Sequence, residues 1–369
     1  MRIQCSQESL LQEVQIANRA ISSRASMPIL GNILLDSTGE TLKLAATDLE
    51  LGIESRIAAS VAEPGSITLP ARILAEIVSN LPAATVKIDV SEGDTRARIT
   101  CENIQFEILG LPASDFPLLP ATEGQPVARI DAALFRTMIR QTSFAVSTDE
   151  TRPFLTGVYL SVEDGDSRLV ATDGGRLALR KAKLSADAKG EVKAIVPSKT
   201  MAELVRALGT VEGEVTVASY ENQLIFSVAG MRFVSRLIAG QFPPYEKVIP
   251  VEFKQRMRVG TERLLRAVRR ASITARDSAN VVRLSTAERT LTISSNTPEV
   301  GKAYEEIEVQ TEGEAIQVAF NAKFLLDALT NMETPEVMFE LTGSLTPGVL
   351  RPVDHAEYIY VLAPVRVYG

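Results

Sequence analysis

A Thr-Asp pair closes a short alternating run twice in this chain. "LKLA" leads into Ala46-Thr47-Asp48-Leu49-Glu50-Leu51-Gly52, and "SRLV" leads into Ala171-Thr172-Asp173-Gly174-Gly175-Arg176-Leu177. An acid placed after a strand can act as a general acid or base, hold a metal, or bond the backbone of a turn. Other reactive side chains are sparse. Cys5, Cys101 and the single His355 do not supply a usual four-ligand zinc site, and they exclude a disulfide framework. No G-x-x-x-x-G-K-[ST] loop occurs, and no G-x-G-x-x-G follows a strand. H-E-x-x-H, G-x-S-x-G and C-x-x-C are also missing from the sequence. Its 46 carboxylates form no cluster that recurs at ligand spacing, and Glu305, Glu306 and Glu308 read as a solvated strand face. No catalytic residue and no cofactor or metal site is therefore assigned.

The elements that would position the two pairs recur three times, and a repeat of this period has to be found before any fold is read. "LPARILAEIVSNLP" at 69–82 returns 127 residues later as "VPSKTMAELVRALG" and a further 124 later as "FNAKFLLDALTNME". Pro70, Pro197 and Asn321 stand where each helix should begin. Arg72, Lys199 and Lys323 follow at one offset, Leu74, Met201 and Leu325 at the next, then Glu76, Glu203 and Asp327. Apolar positions seven apart share a helix face, so these are three amphipathic helices. A second helix recurs upstream, with Leu10 and Val14, Leu134 and Met138, and Leu264 and Val268 as i, i+4 pairs. Asp131 and Thr261 are placed as N-caps for two of them.

Strand patterns of period two fill the intervals, in "VKIDV", "ARITC", "EVTVAS", "LIFSV" and "IQVAF". Ser295-Asn296 stands as the third copy of the Thr-Asp turn. "LPASDFPLLP" and "AGQFPPYEKVIP" read as linkers. The expectation is an α+β chain of three repeated units, 1–121, 128–250 and 251–369, each two helices packed on antiparallel sheets. A catalytic pair has no reason to sit at equivalent places of successive units, whereas a structural turn does.

Net charge is −7, which argues against nucleic acid until the charge is located. The first helices of the repeats carry a gradient. Segment 8–24 is neutral, 131–142 is +1, and 261–276 reaches +4 with Arg263, Arg266, Arg269, Arg270 and Arg276. A basic surface on an acidic body is implied. Phe135 is the one aromatic residue in these segments, so stacking on bases is not expected and contact would be to phosphate. No apolar run reaches the ~20 residues of a membrane span, and "MRIQCSQESLLQE" lacks a secretion signal. Two cysteines fit a reducing cytoplasm.

The triple repeat, "ATDGGRLAL", "FPPYEKVIP" and the terminal "YVLAPVRV" together resemble the bacterial DNA polymerase III beta subunit, the sliding clamp family, from end to end. The resemblance implies a non-catalytic processivity factor. It implies two chains joined head to tail as a ring around duplex DNA, helices lining the hole and sheets forming the wall. It also implies a groove for short peptides of the replicative polymerase, the clamp loader, and other polymerases and repair proteins.

Carried over by position, the groove takes Leu155, Thr172, Gly174, Gly175, Arg176, Leu177, Pro243, Lys247 and Val248, then Asn321, Phe324, Leu345, Thr346 and Pro347, and finally Val361, Leu362, Ala363, Pro364, Val365 and Arg366. Gly175 and Ala363 stand where many family members place bulkier residues, which opens the expected pocket wall. For DNA the matches are Arg24, Arg72 and Arg152, with Arg136, Arg140, Lys199, Arg266, Arg269 and Arg270 as hole-lining charges by position. Asp149 and Pro153 depart from the family around Arg152. The dimer joint takes Ile104, Phe106 and Ile108 on one side and Ser272 and Ile273 on the other. Two other readings stand beside this one: a repeat scaffold that binds peptides without DNA, and a hydrolase with a carboxylate site assembled from distant segments.

Overall fold

The computed structural model describes the chain apart from residues 23–26, 92, 185–189, 210, 277–279 and 367–369, so Arg24 lies outside the described residues. Six α-helices occur among the described residues: α1 (Gln7–Ala17), α2 (Ala71–Asn80), α3 (Ala132–Thr142), α4 (Ser198–Leu208), α5 (Thr261–Ala275) and α6 (Ala322–Thr330). They are the two helices of each repeat, in the expected order. In α5 the spacing of apolar residues sorts the faces: Leu264, Ala267, Val268, Ala271 and Ala275 are buried, while Arg266, Arg269, Arg270 and Ile273 are exposed.

The caps follow the sequence in part. Asp131 Oδ1 accepts from Leu134 N at 2.9 Å, and Asn321 Oδ1 accepts from Lys323 N at 2.9 Å. Thr261 is not a cap. It is the first residue of α5, Gly260 holds the cap position, and the Thr261 hydroxyl donates instead to Thr334 O at 2.7 Å.

The described strands form four antiparallel sheets of five, eight, nine and four strands. Two compact units hold them: Met1–Phe135 with Asp187–Gly190 and Ala202–Leu237, and Arg136–Ala186 with Glu191–Met201 and Ile238–Gly369. The middle repeat is shared because main-chain pairing crosses the repeat boundaries. In the first unit, strand Met231–Arg236 of the second repeat pairs with Leu51–Ala58 of the first. In the second unit, Arg176–Lys183 pairs with Tyr358–Leu362 of the third repeat. Each unit also has a smaller sheet ending in a free strand, Ile104–Leu109 in one and Gly301–Glu308 in the other.

Two expectations change here. Ser295-Asn296 lies inside strand Thr290–Thr297, and the residue that ends this strand, as Thr47 and Thr172 end theirs, is Thr297. Pro298 follows it in place of an acid, so the backbone-bonding carboxylate is lost from the third copy. The two Pro-rich stretches are not bare linkers. Phe116, Phe242 and Tyr245 from them are buried in apolar clusters.

A candidate partner-binding groove

Both Thr-Asp pairs build the same turn. Asp48 Oδ1 accepts from Glu50 N (3.0 Å) and Leu51 N (2.8 Å), and Thr47 Oγ1 accepts from Leu49 N (3.0 Å). Asp173 Oδ1 accepts from Gly175 N (2.8 Å) and Arg176 N (3.0 Å), and Thr172 Oγ1 accepts from Gly174 N (3.1 Å). The acids are consumed by backbone, as turn residues are. The third turn position has positive φ in both, +77° at Leu49 and +93° at Gly174. Glycine adopts that conformation freely, whereas an L-side chain there costs about 1–2 kcal/mol. The second turn is thus unstrained and bare of side chain where it meets the cleft.

Arg176 anchors it. Its Nε donates to Asp173 Oδ2 at 3.0 Å, Nη1 to Asp327 Oδ2 at 2.5 Å and Nη2 to Phe144 O at 2.8 Å. The guanidinium stacks on Phe324, 4.5 Å from its ring centroid. Burial opposes the charge, but Asp327, Tyr360 and Asp173 more than offset it and hold the Arg176 pKa above the ordinary guanidinium value. Tyr360, whose phenol burial pushes upward, donates to Phe324 O at 3.0 Å. These bonds join the turn, α6 and the last strand into one rigid wall.

Over this wall lies a cleft of about 510 Å³. Leu155, Thr172, Gly174, Gly175, Arg176 and Leu177 line it, with Pro243, Lys247 and Val248 from one flank and Pro347, Val361 and Ala363 from the other. Leu177 and Val361 are cross-strand neighbours at its floor, and Ala363 N donates to Gly175 O at 2.9 Å. A Cβ on Gly175 would lie 3.0 Å from Phe324 Cε2, so the bulkier residue expected of relatives would have to displace that ring.

The remaining groove candidates are placed differently. Leu345 and Val365 line a separate cavity of about 320 Å³ with Arg283, Gln317 and Ser344. Asn321 caps α6, Phe324 lies behind Gly175 and Arg176, Leu362 is fully buried, and Thr346 Oγ1 donates to Gly343 O. Pro364 and Arg366 line neither cavity. Three lining residues were missed, Phe154, Pro244 and Tyr245. Two of them stand in "FPPYEKVIP" itself, so the signal was the apolar run read as a linker. Arg152, matched to DNA, also lines the cleft, and its Nε donates to Asp149 Oδ2 at 2.9 Å.

The other basic candidates spread over several elements. Arg72 on α2 and Arg269 on α5 are exposed, with no ion pair among the described residues. Arg140 is exposed and 3.9 Å from Glu333. Arg266 pairs with Glu262, and Arg270 with Glu305 at 2.5 Å, so Glu305 is not a freely solvated acid. The Arg270 bond holds the Glu305 carboxyl below its usual range. Arg136 and Lys199 are half-buried.

Ile104, Phe106 and Ile108 lie on the free edge strand of the five-stranded sheet, with Phe106 38% exposed. Ile273 on α5 is 59% exposed, whereas Ser272 is buried and donates to Arg269 O. An exposed apolar edge strand is a template for pairing with another chain. Among the described residues no cluster of His, Cys, Asp and Glu could hold a metal, and no helix is long and apolar enough to cross a membrane.

Family models for the DNA polymerase III beta subunit match throughout: the N-terminal domain at 1–120, the central domain at 129–244 and the C-terminal domain at 246–366. The beta sliding clamp of Bacillus subtilis is 36% identical over 379 aligned positions covering all of both chains. The crystal structure of the Bacillus subtilis DNA polymerase sliding clamp superposes over the full length of both chains with a TM-score of 0.96. A sliding clamp from Bartonella birtlesii, solved bound to griselimycin, is 31% identical with a TM-score of 0.93, again over all of both chains. The chain belongs to the DNA polymerase III beta subunit family, the sliding clamps, which are non-catalytic processivity subunits of the polymerase.

Proposed function

We propose that two copies of this chain close head to tail into a ring of six repeats, each chain giving 1–121, 128–250 and 251–369, with duplex DNA threaded through the hole. The ring works in the cytoplasm on the chromosome. The groove takes short linear peptides from the replicative polymerase, the clamp loader, and other polymerases and repair proteins. The observation that carries the peptide reading is the cleft itself. It is apolar, it lies on a wall fixed by the Arg176 bonds, and a few polar groups stand at its rim, which is how a short peptide is held.

The DNA reading is supported by exposed Arg72, Arg140, Arg266, Arg269 and Arg270 on α2, α3 and α5 in a chain of net charge −7. Several of these are already paired to acids, which weakens their hold on phosphate. Weak contacts suit a ring that must slide. Retention then comes from topology, and tight phosphate contacts would add friction and a steep salt dependence. The joint is supported by the free edge strand carrying Ile104, Phe106 and Ile108 and by the exposed Ile273 side chain on α5, whose sheet also ends in a free strand, the charged Gly301–Glu308.

Loading the clamp on nicked circles and then linearising half of them tests this. Long retention on circles with rapid loss from linear DNA is expected. Equal loss from both would sink the ring.

A further inference from the structure

The apolar cluster beneath the groove has a counterpart in the first repeat, position by position. In the second unit it includes Phe154, Leu155, Val170, Ile238, Phe242 and Tyr245. In the first unit Ile29, Leu30, Ala45, Leu111, Phe116 and Leu119 form the matching cluster. The backbone agrees. Leu111 and Thr68 exchange main-chain bonds, and Ile238 N donates to Ile195 O at the matching pair. Strand register agrees as well, with Gly52 opposite Val234 where Leu177 is opposite Val361. Arg236 N donates to Glu50 O as Ala363 N donates to Gly175 O. The Thr47-Asp48 turn repeats the Thr172-Asp173 turn. The first repeat therefore has the main-chain frame of a groove, with Leu51 where the second repeat has the Arg176 anchor.

What differs is the floor and what lies on it. Leu177 has Gly52 as its counterpart, and the Leu119 side chain fills the vacated space: a Cβ on Gly52 would lie 2.5 Å from Leu119 Cδ2. Tyr245, the counterpart of Leu119, instead packs edge-on against Phe242 and tilted against Tyr159, so it lines the cleft without filling it. We propose that the first repeat holds a latent copy of the peptide groove, closed by its own Leu119, and that this plug limits the chain to one peptide site. The ligand class is an apolar side chain of a short peptide, for which Leu119 is the in-chain stand-in. The proposal rests on the open groove being the peptide site.

The test uses the full chain with Leu119→Ala, and with the double variant Gly52→Leu/Leu119→Ala, which restores a floor and guards against collapse. Xenon enters dry apolar cavities of side-chain size, so pressurised crystals of Leu119→Ala should show xenon beside Gly52 and wild-type crystals should not. Titration calorimetry with a capped hexapeptide bearing leucine, the side chain that Leu119 supplies in the chain, should rise from one peptide per chain to two in the variants. Folded Leu119→Ala without xenon there, or a stoichiometry that stays at one in both variants, overturns the latent site. If wild type binds no peptide, the reading of the open groove fails, and xenon still decides whether Leu119 is a plug.

Discussion

Arg176 Nη1 and Asp327 Oδ2 lie 2.5 Å apart, although 151 residues separate them in the chain. The bond ties the turn of the second repeat to α6 of the third. The aligned acids elsewhere do not repeat it. Glu203 on α4 bonds Arg206, one turn along its own helix, and the position equivalent to Arg176 in the first repeat is Leu51. The ion pair thus marks the one joint that became a cleft wall.

Asp327→Ala leaves Arg176 with Asp173 as its remaining carboxylate in a nearly closed site. A loss of about 2 kcal/mol in stability is expected, below the full cost of stranding a buried charge because Asp173 stays. Urea denaturation gives the loss, and Asp327→Asn should cost less because an acceptor remains. No change in the urea midpoint for Asp327→Ala would show that the bond does not hold the wall.

The cleft floor and rim separate by exposure. Leu177→Ala removes buried apolar surface and should weaken peptide binding about tenfold or more, equivalent to ~1.5 kcal/mol. Val248 is exposed at the rim, so Val248→Asp should leave stability unchanged and still weaken an apolar peptide. Fluorescence anisotropy with a labelled peptide reads both. Full affinity in Val248→Asp would move the peptide away from that flank.

For the ring joint, Phe106→Ala combined with Ile273→Ala removes exposed apolar side chains and little from either core. The dimer should dissociate at higher concentration than wild type, read by light scattering on dilution. Unchanged dimer mass across the dilution would place the interface elsewhere.

Glu13 gives a pH signature. Its carboxyl is half-buried, burial raises its pKa, and Oε2 has no hydrogen-bond partner among the described residues. A carboxyl raised on folding favours the fold below its unfolded pKa of about 4.3 and loses that contribution as pH rises through its folded value. At neutral pH the buried charge is a cost. Glu13→Gln should therefore melt higher than wild type at pH 7, and the gap should close as pH falls below about 4. A gap that persists in acid would assign the effect to packing instead of charge.

Gly175→His tests the fit of this groove. The added side chain meets Phe324 at the Cβ, so it should push the ring by a few tenths of an ångström and change peptide preference more than stability. A crystal structure with Phe324 unmoved would refute the clash.

By itself the sequence determined the repeat, the six helices and the strands between them, because helix and strand periods and turn chemistry act over a few residues. It also determined that Asp48 and Asp173 are turn acids, since a catalytic group has no cause to recur. It did not determine the third turn. Ser295-Asn296 matched in residue type, but pairing register puts Thr297 at the strand end. Nor did it show Phe154, Pro244 and Tyr245 in the cleft, or that Leu345 and Val365 line another cavity. Those facts depend on segments up to two hundred residues apart meeting through main-chain bonds such as Arg176 with Leu362. Tertiary structure also decided which joint is open. Gly52 and Leu119 look unremarkable in sequence, and only their contact in space shows one side chain filling the place where, in the next repeat, a cleft remains.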